Sequence, residues 1–410
     1  MARILFVHNG SPGRFTFLAR LLMDRGHSCA VLNSTDGTDI PGVPTMHWRP
    51  EQGTTNGIFA PAVRVEADLI RAFAAAEAAR KMREAGFVPD LIIGHPGWGE
   101  MALLREVFPD ARQIHIGEYY YRAKGADVDF DPEFALKDFR KSLGVPAKNP
   151  VLAMSFIEAD RIVAPTPFQA SLLPEILQSR VAVIHEGVDT ELARPNPDVR
   201  VHLPGGQVLT RSRPVVTFIN RAFEPLRGVH IFMRALPRIL AEVPDVDVLM
   251  IGADASPAYG LRPQSAPTWK AAMLAELEGR LDLSRIHFTG QLTYPQLVAA
   301  LSASAAHVYL TYPFVLSWSL LDAMSCECLV IGSDTAPVRD VLTDGVDGRL
   351  VDFFDVDGLA LAVAEACRRP EAYAGLRRAA RAKMVAQYDR RTVTEPAWLR
   401  LIDELLPARG

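Results

Sequence analysis

The feature that most constrains this chain is a recurring triplet: a short unbroken apolar run, a polar or glycine-rich corner, then a longer segment of helical period. "RILFVH" (3–8) passes through "NGSPG" into a helical pattern from Phe15 to Arg25, and "DLIIG" (90–94) passes through "HPGWG" into one from Glu100 to Val107. "PVVTFI" (214–219) leads through "NRAFEPLRG" into Val229 to Leu240, and "VDVLMIG" (246–252) and "HVYL" (307–310) are further unbroken runs. A strand buried on both faces has no wet side and so no alternation of polar residues. Unbroken strands alternating with helices therefore predict an α/β protein with parallel sheets covered on both faces.

The alternation pauses once. "ELARPNPDVRVHLPGGQVLTRS" (191–212) is rich in Pro, Gly and Arg and has no period, which is a linker composition. At 410 residues the chain exceeds what one core normally holds. Two Rossmann-like domains are expected, residues 1–195 and 210–389, with a cleft between them. The final "EPAWLRLIDELL" (395–406) reads as an amphipathic helix with Trp398, Leu399, Ile402 and Leu405 on one side.

Composition excludes several classes. A net charge of -4 gives no general reason to bind nucleic acid. The four cysteines, Cys29, Cys326, Cys328 and Cys367, form neither a disulfide framework nor a zinc-ligand spacing, and their apolar settings predict buried thiols in a reducing compartment. No apolar run approaches the ~18 residues of a membrane span, and "MARILFVH" runs straight into a strand. A cytoplasmic protein is expected, with peripheral contact at the inner membrane face left open.

The chemistry concentrates in a few loops. "YPFVLSWSLLDAM" (312–324) is apolar except for Ser317, Ser319 and Asp322. Pro313 stops any earlier helix, so one should begin near Ser317. Ser319 and Asp322 then read either as a capping box or as a helix start whose amides and hydroxyls face a phosphate, with the carboxylate reaching a diol. Arg221 and Arg227 follow an apolar strand in "FINRAFEPLRGV", where two guanidiniums could clamp a diphosphate or pair with Glu224. Gly10, Ser11 and Gly13 make a tight turn that matches neither common phosphate-loop pattern. His95 stands in the glycine-rich "GHPGWG", placed to bond a substrate hydroxyl or move a proton. Glu118, Tyr119 and Tyr120 offer aromatic faces with a polar rim, which suits carbohydrate. Of the Asp pairs 127/129, 245/247 and 355/357, the second flanks a strand start and the third a helix start, ordinary places for Asp; all three are read as coincidental, so no metal is expected.

With these segments laid out, the chain resembles the retaining glycosyltransferases of family 4, of GT-B architecture with two facing Rossmann-like domains. The resemblance runs through "RGHSCAVL", "VIHEGVDT", "FINRAFEPLRGVHIFMRALP", "IHFTGQLTYPQL" and, most specifically, "YPFVLSWSLLDAMSCECLVIGSDTAPVRDVLTDGVDGRLVD". The last block is similar to a bacterial subgroup that carries "FVLSWSLLEAM". The resemblance implies that the C-terminal helix crosses back, so that 390–410 pack on the N-terminal domain. It implies a UDP- or GDP-sugar donor held by the C-terminal domain: Asp322 on the ribose, Leu316, Ser317, Trp318 and Ser319 around the diphosphate with Asn220, Arg221 and Arg227, and Gly290 and Gln291 at the base. Arg227 stands where the family usually has lysine. His95 matches a histidine near the transferred sugar. Phe314 replaces the glutamate that usually contacts donor-sugar hydroxyls, for which Glu224 or a backbone group would compensate. The implied function is metal-independent sugar transfer, with retention, to a glycan or lipid-linked hydroxyl in cell-surface polysaccharide or glycolipid synthesis. A nucleotide-sugar-binding protein of reduced activity, or an epimerase or glycoside phosphorylase of the same fold, fits the same motifs. A dinucleotide oxidoreductase would need a G-x-G-x-x-G that "NGSPGR" lacks.

Overall fold

The computed structural model describes residues 1–406 apart from Ser11, Lys137, Gly205 and Ala258. The chain divides into two compact units, Met1–Glu186 with Thr394–Gly410, and Gly187–Val393.

The first unit holds a seven-stranded parallel sheet: β1 (Arg3–His8), β2 (Ser28–Ser34), β3 (Thr45–Trp48), β4 (Leu91–Gly94), β5 (Arg112–Ile116), β6 (Arg161–Ala164) and β7 (Val181–Val183). Their order is β3-β2-β1-β4-β5-β6-β7. Five of the six residues of β1 are buried, as expected of a central strand covered on both sides. On one face Ile4, Phe6, Leu18, Leu22, Ile93 and Ile114 form a core that Trp398, Leu401 and Ile402 complete. Those last three come from the terminal helix Glu395–Leu405, so the chain returns to the unit in which it began. Leu399 and Leu405 are only partly buried there, and Leu401 is a core residue that the helical pattern did not single out. The helical pattern of 100–107 yields a regular helix only over Leu104–Val107, because Gly99 and the turn after it hold the chain against Asp68: a Cβ on Gly99 would lie 2.1 Å from the Asp68 carbonyl oxygen.

The second unit opens with a short antiparallel hairpin, β8 (Val201–His202) and β9 (Val208–Leu209), followed by β10 (Val215–Ala222), β11 (Asp247–Ala253), β12 (Ile286–Gly290), β13 (Ala306–Tyr309), β14 (Leu329–Ser333) and β15 (Arg349–Val351). The last six form a parallel sheet in the order β12-β11-β10-β13-β14-β15. The stretch expected to be a linker is therefore folded. Val199, Val201, Leu203 and Leu209 are buried with Val215, Leu249 and Ala300, and the division falls earlier, between Glu186 and Gly187. Four spaced apolar residues sufficed to recruit that segment, although Pro and Gly between them hide any period.

All four cysteines are buried and free, with their thiols pushed up to about 11 or 12 by burial. Among the described residues no helix is long and apolar enough to cross a membrane.

Candidate functional site

In a parallel sheet the helices leave a crevice where the strand order reverses, at the carboxyl ends of the two strands concerned. In the second unit that point lies between β10 and β13, and Asn220, Arg221 and Arg227 among the sequence-predicted donor residues lie at or just after the end of β10. β10 shifts register between Ile219 and Ala222. Asn220, in that irregularity, is buried with its Nδ2 unpartnered. An unmet buried N–H of this kind costs about 1–3 kcal/mol. Arg221, beside it, is exposed.

Arg227 is turned into the fold. It ends the short turn Pro225–Arg227, and Gly228 after it adopts φ 72°, a left-handed conformation. A Cβ on Gly228 would lie 2.4 Å from that of Leu310, so only glycine lets the turn lie against the end of β13. The guanidinium is thereby directed across the strand reversal: Nη1 donates to the Thr311 hydroxyl at 2.9 Å, and the group lies 5.6 Å from the centroid of the Phe314 ring. Burial pushes the Tyr309 phenol up, and Arg227 beside it pulls it back.

The stretch 312–324 is pinned at the same place. The Ser317 amide donates to the Tyr309 hydroxyl at 2.7 Å, so this N–H is already spent, and the regular helix starts at Ser319 rather than near Ser317. Trp318, ahead of it, is 56% exposed. Ser319 is buried, and its hydroxyl lies 3.3 Å from that of Ser317. The capping-box reading of Asp322 is not realised: the helix has no side-chain cap. Instead Asp322 is buried and accepts from the Tyr294 hydroxyl at 2.9 Å. Burial raises its carboxyl to about 6, against a partial downward pull from that bond.

Two further expectations change. Among the described residues Glu224 has no ion pair with either arginine; its Oε2 accepts from the amides of Tyr259 (3.0 Å) and Gly260 (2.8 Å) instead. Phe314 is buried, with the Tyr259 ring 5.2 Å away on centroids. A ring between Tyr259 and the Arg227 guanidinium offers packing where hydrogen bonding was expected. Gly290, at the end of β12, has φ 69°, and a Cβ added there would meet nothing within 4 Å. Gln291 after it is exposed. Leu316 is half-buried.

The first unit has its own strand reversal, between β1 and β4. There His8, His95 and Trp98 cluster, with His95 4.8 Å from Trp98 and 5.6 Å from His8 on ring centroids. His95 is buried, and both ring nitrogens are engaged: Nδ1 accepts from the Gly97 amide at 3.1 Å, and Nε2 faces Glu118 at 2.8 Å. That tautomer puts the proton on Nε2, so His95 orients the Glu118 carboxylate rather than offering a nitrogen to a substrate. A Cβ on Gly97 would sit 2.5 Å from His95 Cε1, which explains the glycine. Tyr119 donates to Asp127, and Tyr120 packs beside Phe168 and Leu172. Gly10 donates to His8 Nδ1 at 3.1 Å, and Gly13 is exposed in the turn Pro12–Phe15. Both belong to the first unit, and Ser11 lies outside the described residues. Each of Asp127, Asp247, Asp355 and Asp357 is engaged by a protein partner.

Sequence reading missed Tyr294, Thr311 and Tyr309, which hold Asp322, Arg227 and Ser317. No local pattern marks them, since each side chain meets its partner from a different element or loop, 8, 28 and 84 residues away for Tyr309, Tyr294 and Thr311. It also missed Glu100, fully buried and raised to about 8 by burial, with the backbone amides of Glu100 and Trp98 and the nearby Arg71 offsetting part of the rise.

Comparison with known proteins bears on the fold and the family. Residues 25–193 match the model described as glycosyl transferase family 4 group, and residues 213–369 that of the glycosyl transferases group 1. A phosphatidyl-myo-inositol mannosyltransferase of Mycolicibacterium smegmatis is 28% identical over 235 residues, 53% of this chain and 56% of that protein. A D-inositol 3-phosphate glycosyltransferase of the same organism is 27% identical over 253 residues, 61% and 52% respectively. The match thus spans about half the length of these relatives. Among solved structures, sucrose-phosphate synthase from Thermosynechococcus elongatus superposes with a TM-score of 0.75 over 99% of both chains at 18% identity. Anabaena HepE in complex with UDP-glucose gives 0.66 over 98% of this chain and 100% of that one, at 15% identity. Two parallel α/β units of the GT-B type, with a family 4 match on the first and a group 1 match on the second, place the chain among the family 4 glycosyltransferases.

Proposed function

We propose that this chain transfers a sugar from a nucleoside-diphosphate donor to an acceptor hydroxyl, with retention of anomeric configuration and without a divalent metal. The observation that carries the reading is Arg227: a buried cation aimed across the strand reversal of the second unit, where open α/β sheets take their ligands. A nucleoside diphosphate supplies what the surrounding groups lack, an anion for Arg227 and an acceptor for the orphaned Asn220 N–H. Asp322 is available to the ribose diol once ionised, with Tyr294 holding it in place. The reading also draws on the group 1 match over this unit and on the likeness to HepE, a protein seen with UDP-glucose.

As the bond from sugar to diphosphate breaks, negative charge grows on the leaving phosphates. Arg227 is fixed in advance where that charge develops, and the exposed Arg221 can close on it. Preorganised charge of this kind lowers the barrier without reorganising during the reaction. In the first unit, Glu118 held by His95 receives the acceptor hydroxyl, and Tyr119 and Tyr120 flank it. The acceptor is a cell-surface glycan or glycolipid, in keeping with the lipid and inositol acceptors in the relatives' names. The test is a thermal-shift panel of nucleoside diphosphates and their sugars, followed by NMR of the product anomer. A ligand bound only by the folded state raises the melting temperature. A panel in which no nucleotide moves the melting point overturns the reading, and an inverted product overturns retention.

A further inference from the structure

The long helix Val63–Glu84 of the first unit carries a cluster of buried charge that the chemistry described above does not use. Arg64, Asp68 and Arg71 stand at i, i+4 and i+7, along a single helix face. Asp68 is 2% exposed, and each of its carboxylate oxygens accepts from a different arginine: Oδ2 from Arg64 Nε at 2.8 Å, and Oδ1 from Arg71 Nη2. Each guanidinium then reaches on to the loop that carries His95. Arg64 Nη2 donates to the Gly97 carbonyl, and Arg71 Nε donates to the Trp98 carbonyl at 2.7 Å. Glu100 is fully buried near Arg71 and Asp68, and burial raises it to about 8, so at neutral pH it does not compete for the arginines.

Stability is a poor reason for such a cluster. Desolvating buried ions costs about as much as their attraction returns, and apolar side chains of similar volume often serve as well. What the cluster supplies is direction. A guanidinium is a rigid planar fork, so fixing one edge on Asp68 fixes where the other edge points. The loop needs that restraint, because "GHPGWG" includes Gly97 and Gly99, and glycine has the most backbone freedom to lose. Two successive carbonyls, those of Gly97 and Trp98, are thus held directly after the Gly97 amide that donates to His95 Nδ1. That amide selects the tautomer in which Nε2 carries its proton towards Glu118, at 2.8 Å.

We propose that Asp68, acting through Arg64 and Arg71, is a positioning residue: the three side chains lock the loop at 95–99 and with it the tautomer and orientation of the His95 ring. The consequence for sugar transfer, through Glu118, rests on the transferase reading; the positioning of the ring does not.

The decisive measurement is the ring-nitrogen NMR spectrum of the full chain at about pH 8, above the usual histidine range, with His95 assigned from a His95→Gln spectrum. Expected in wild type are two well-separated His95 signals, one from an N–H and one from a bare nitrogen. In Asp68→Asn and in Arg71→Lys the loop is released, both tautomers are populated, and the two signals move towards each other. Arg71→Lys keeps the charge beside Asp68 but cannot serve two acceptors in a fixed direction, so it decides the matter should Asp68→Asn fail to fold. Arg80→Gln, which removes ion pairs to Glu77 and Glu84 on the same helix, should leave the signals unmoved. In activity, the folded variants should transfer glucose from UDP-glucose to octyl β-glucoside about 10²-fold more slowly, the effect of misplacing a group by about 1 Å. Hydrolytic release of UDP should be unchanged, because the donor groups belong to the second unit. Unmoved His95 signals in the folded variants overturn the proposal, as does hydrolysis that falls in step with transfer. A wild type that turns over no nucleotide sugar overturns the transferase reading instead, and the nitrogen signals still decide the positioning.

Discussion

Replacing Arg227 tests the donor site most directly. The guanidinium-bearing residue is only 8% exposed, so water screens it little. A unit charge developing on a phosphate about 4 Å away, at an effective dielectric of about 20, interacts with it by about 4 kcal/mol. That corresponds to about three decades of rate, and Arg221 nearby recovers part of it, so Arg227→Ala should lower kcat/KM by about 10²–10³-fold. Arg227→Lys keeps the charge but loses the planar group over Phe314 and the bond to Thr311, which should cost about tenfold. Donor hydrolysis without acceptor, read as release of nucleoside diphosphate, breaks the same bond and needs no knowledge of the acceptor. A melting curve on each variant separates loss of catalysis from loss of fold. A folded Arg227→Ala protein that hydrolyses donor within about threefold of wild type would refute the assignment.

Other expectations follow from the same geometry. Asp322 titrates near about 6 in the fold against 3.8 unperturbed. The folded state therefore binds more protons across that window, and its stability falls as pH rises from about 4 to 6, by at most about 3 kcal/mol. Nucleotide affinity should climb through the same pH range in wild type and be flat in Asp322→Asn; calorimetry at about pH 5 and 7.5 checks both. Glu100, raised to about 8, works in the same direction at higher pH: Glu100→Gln should gain on the order of 3 kcal/mol at about pH 8 and little at about pH 4, read from urea melts. Gly228→Ala combines a left-handed φ with a 2.4 Å approach to Leu310 and should cost about 2–5 kcal/mol by denaturant unfolding. Transfer measured in excess EDTA should match that with added manganese; strict metal dependence would mean that one of the acidic pairs has a role not assigned to it.

Much of the architecture was legible in the order of residues. Unbroken runs such as 3–8 and 246–252 became central strands, because a strand wet on neither face must be apolar throughout. The terminal amphipathic helix was also legible as an element, and Arg227 and Asp322 stood out as charges in apolar company. What no local pattern could supply was the partner of each. Tyr294 meets Asp322 across 28 residues, and Thr311 meets Arg227 across 84. Only the strand reversal between β10 and β13 brings the latter pair within reach. The same limit explains the errors. Ser319 and Asp322 have the spacing of a cap, but a carboxyl bonds to the best donor in space, here a phenol. His95 looks like a free histidine in sequence until the fold sets Glu118 against one nitrogen and the Gly97 amide against the other. Periodicity encodes burial, which is a property of one segment; hydrogen bonding and charge pairing belong to two, and the second is chosen only when the chain has closed.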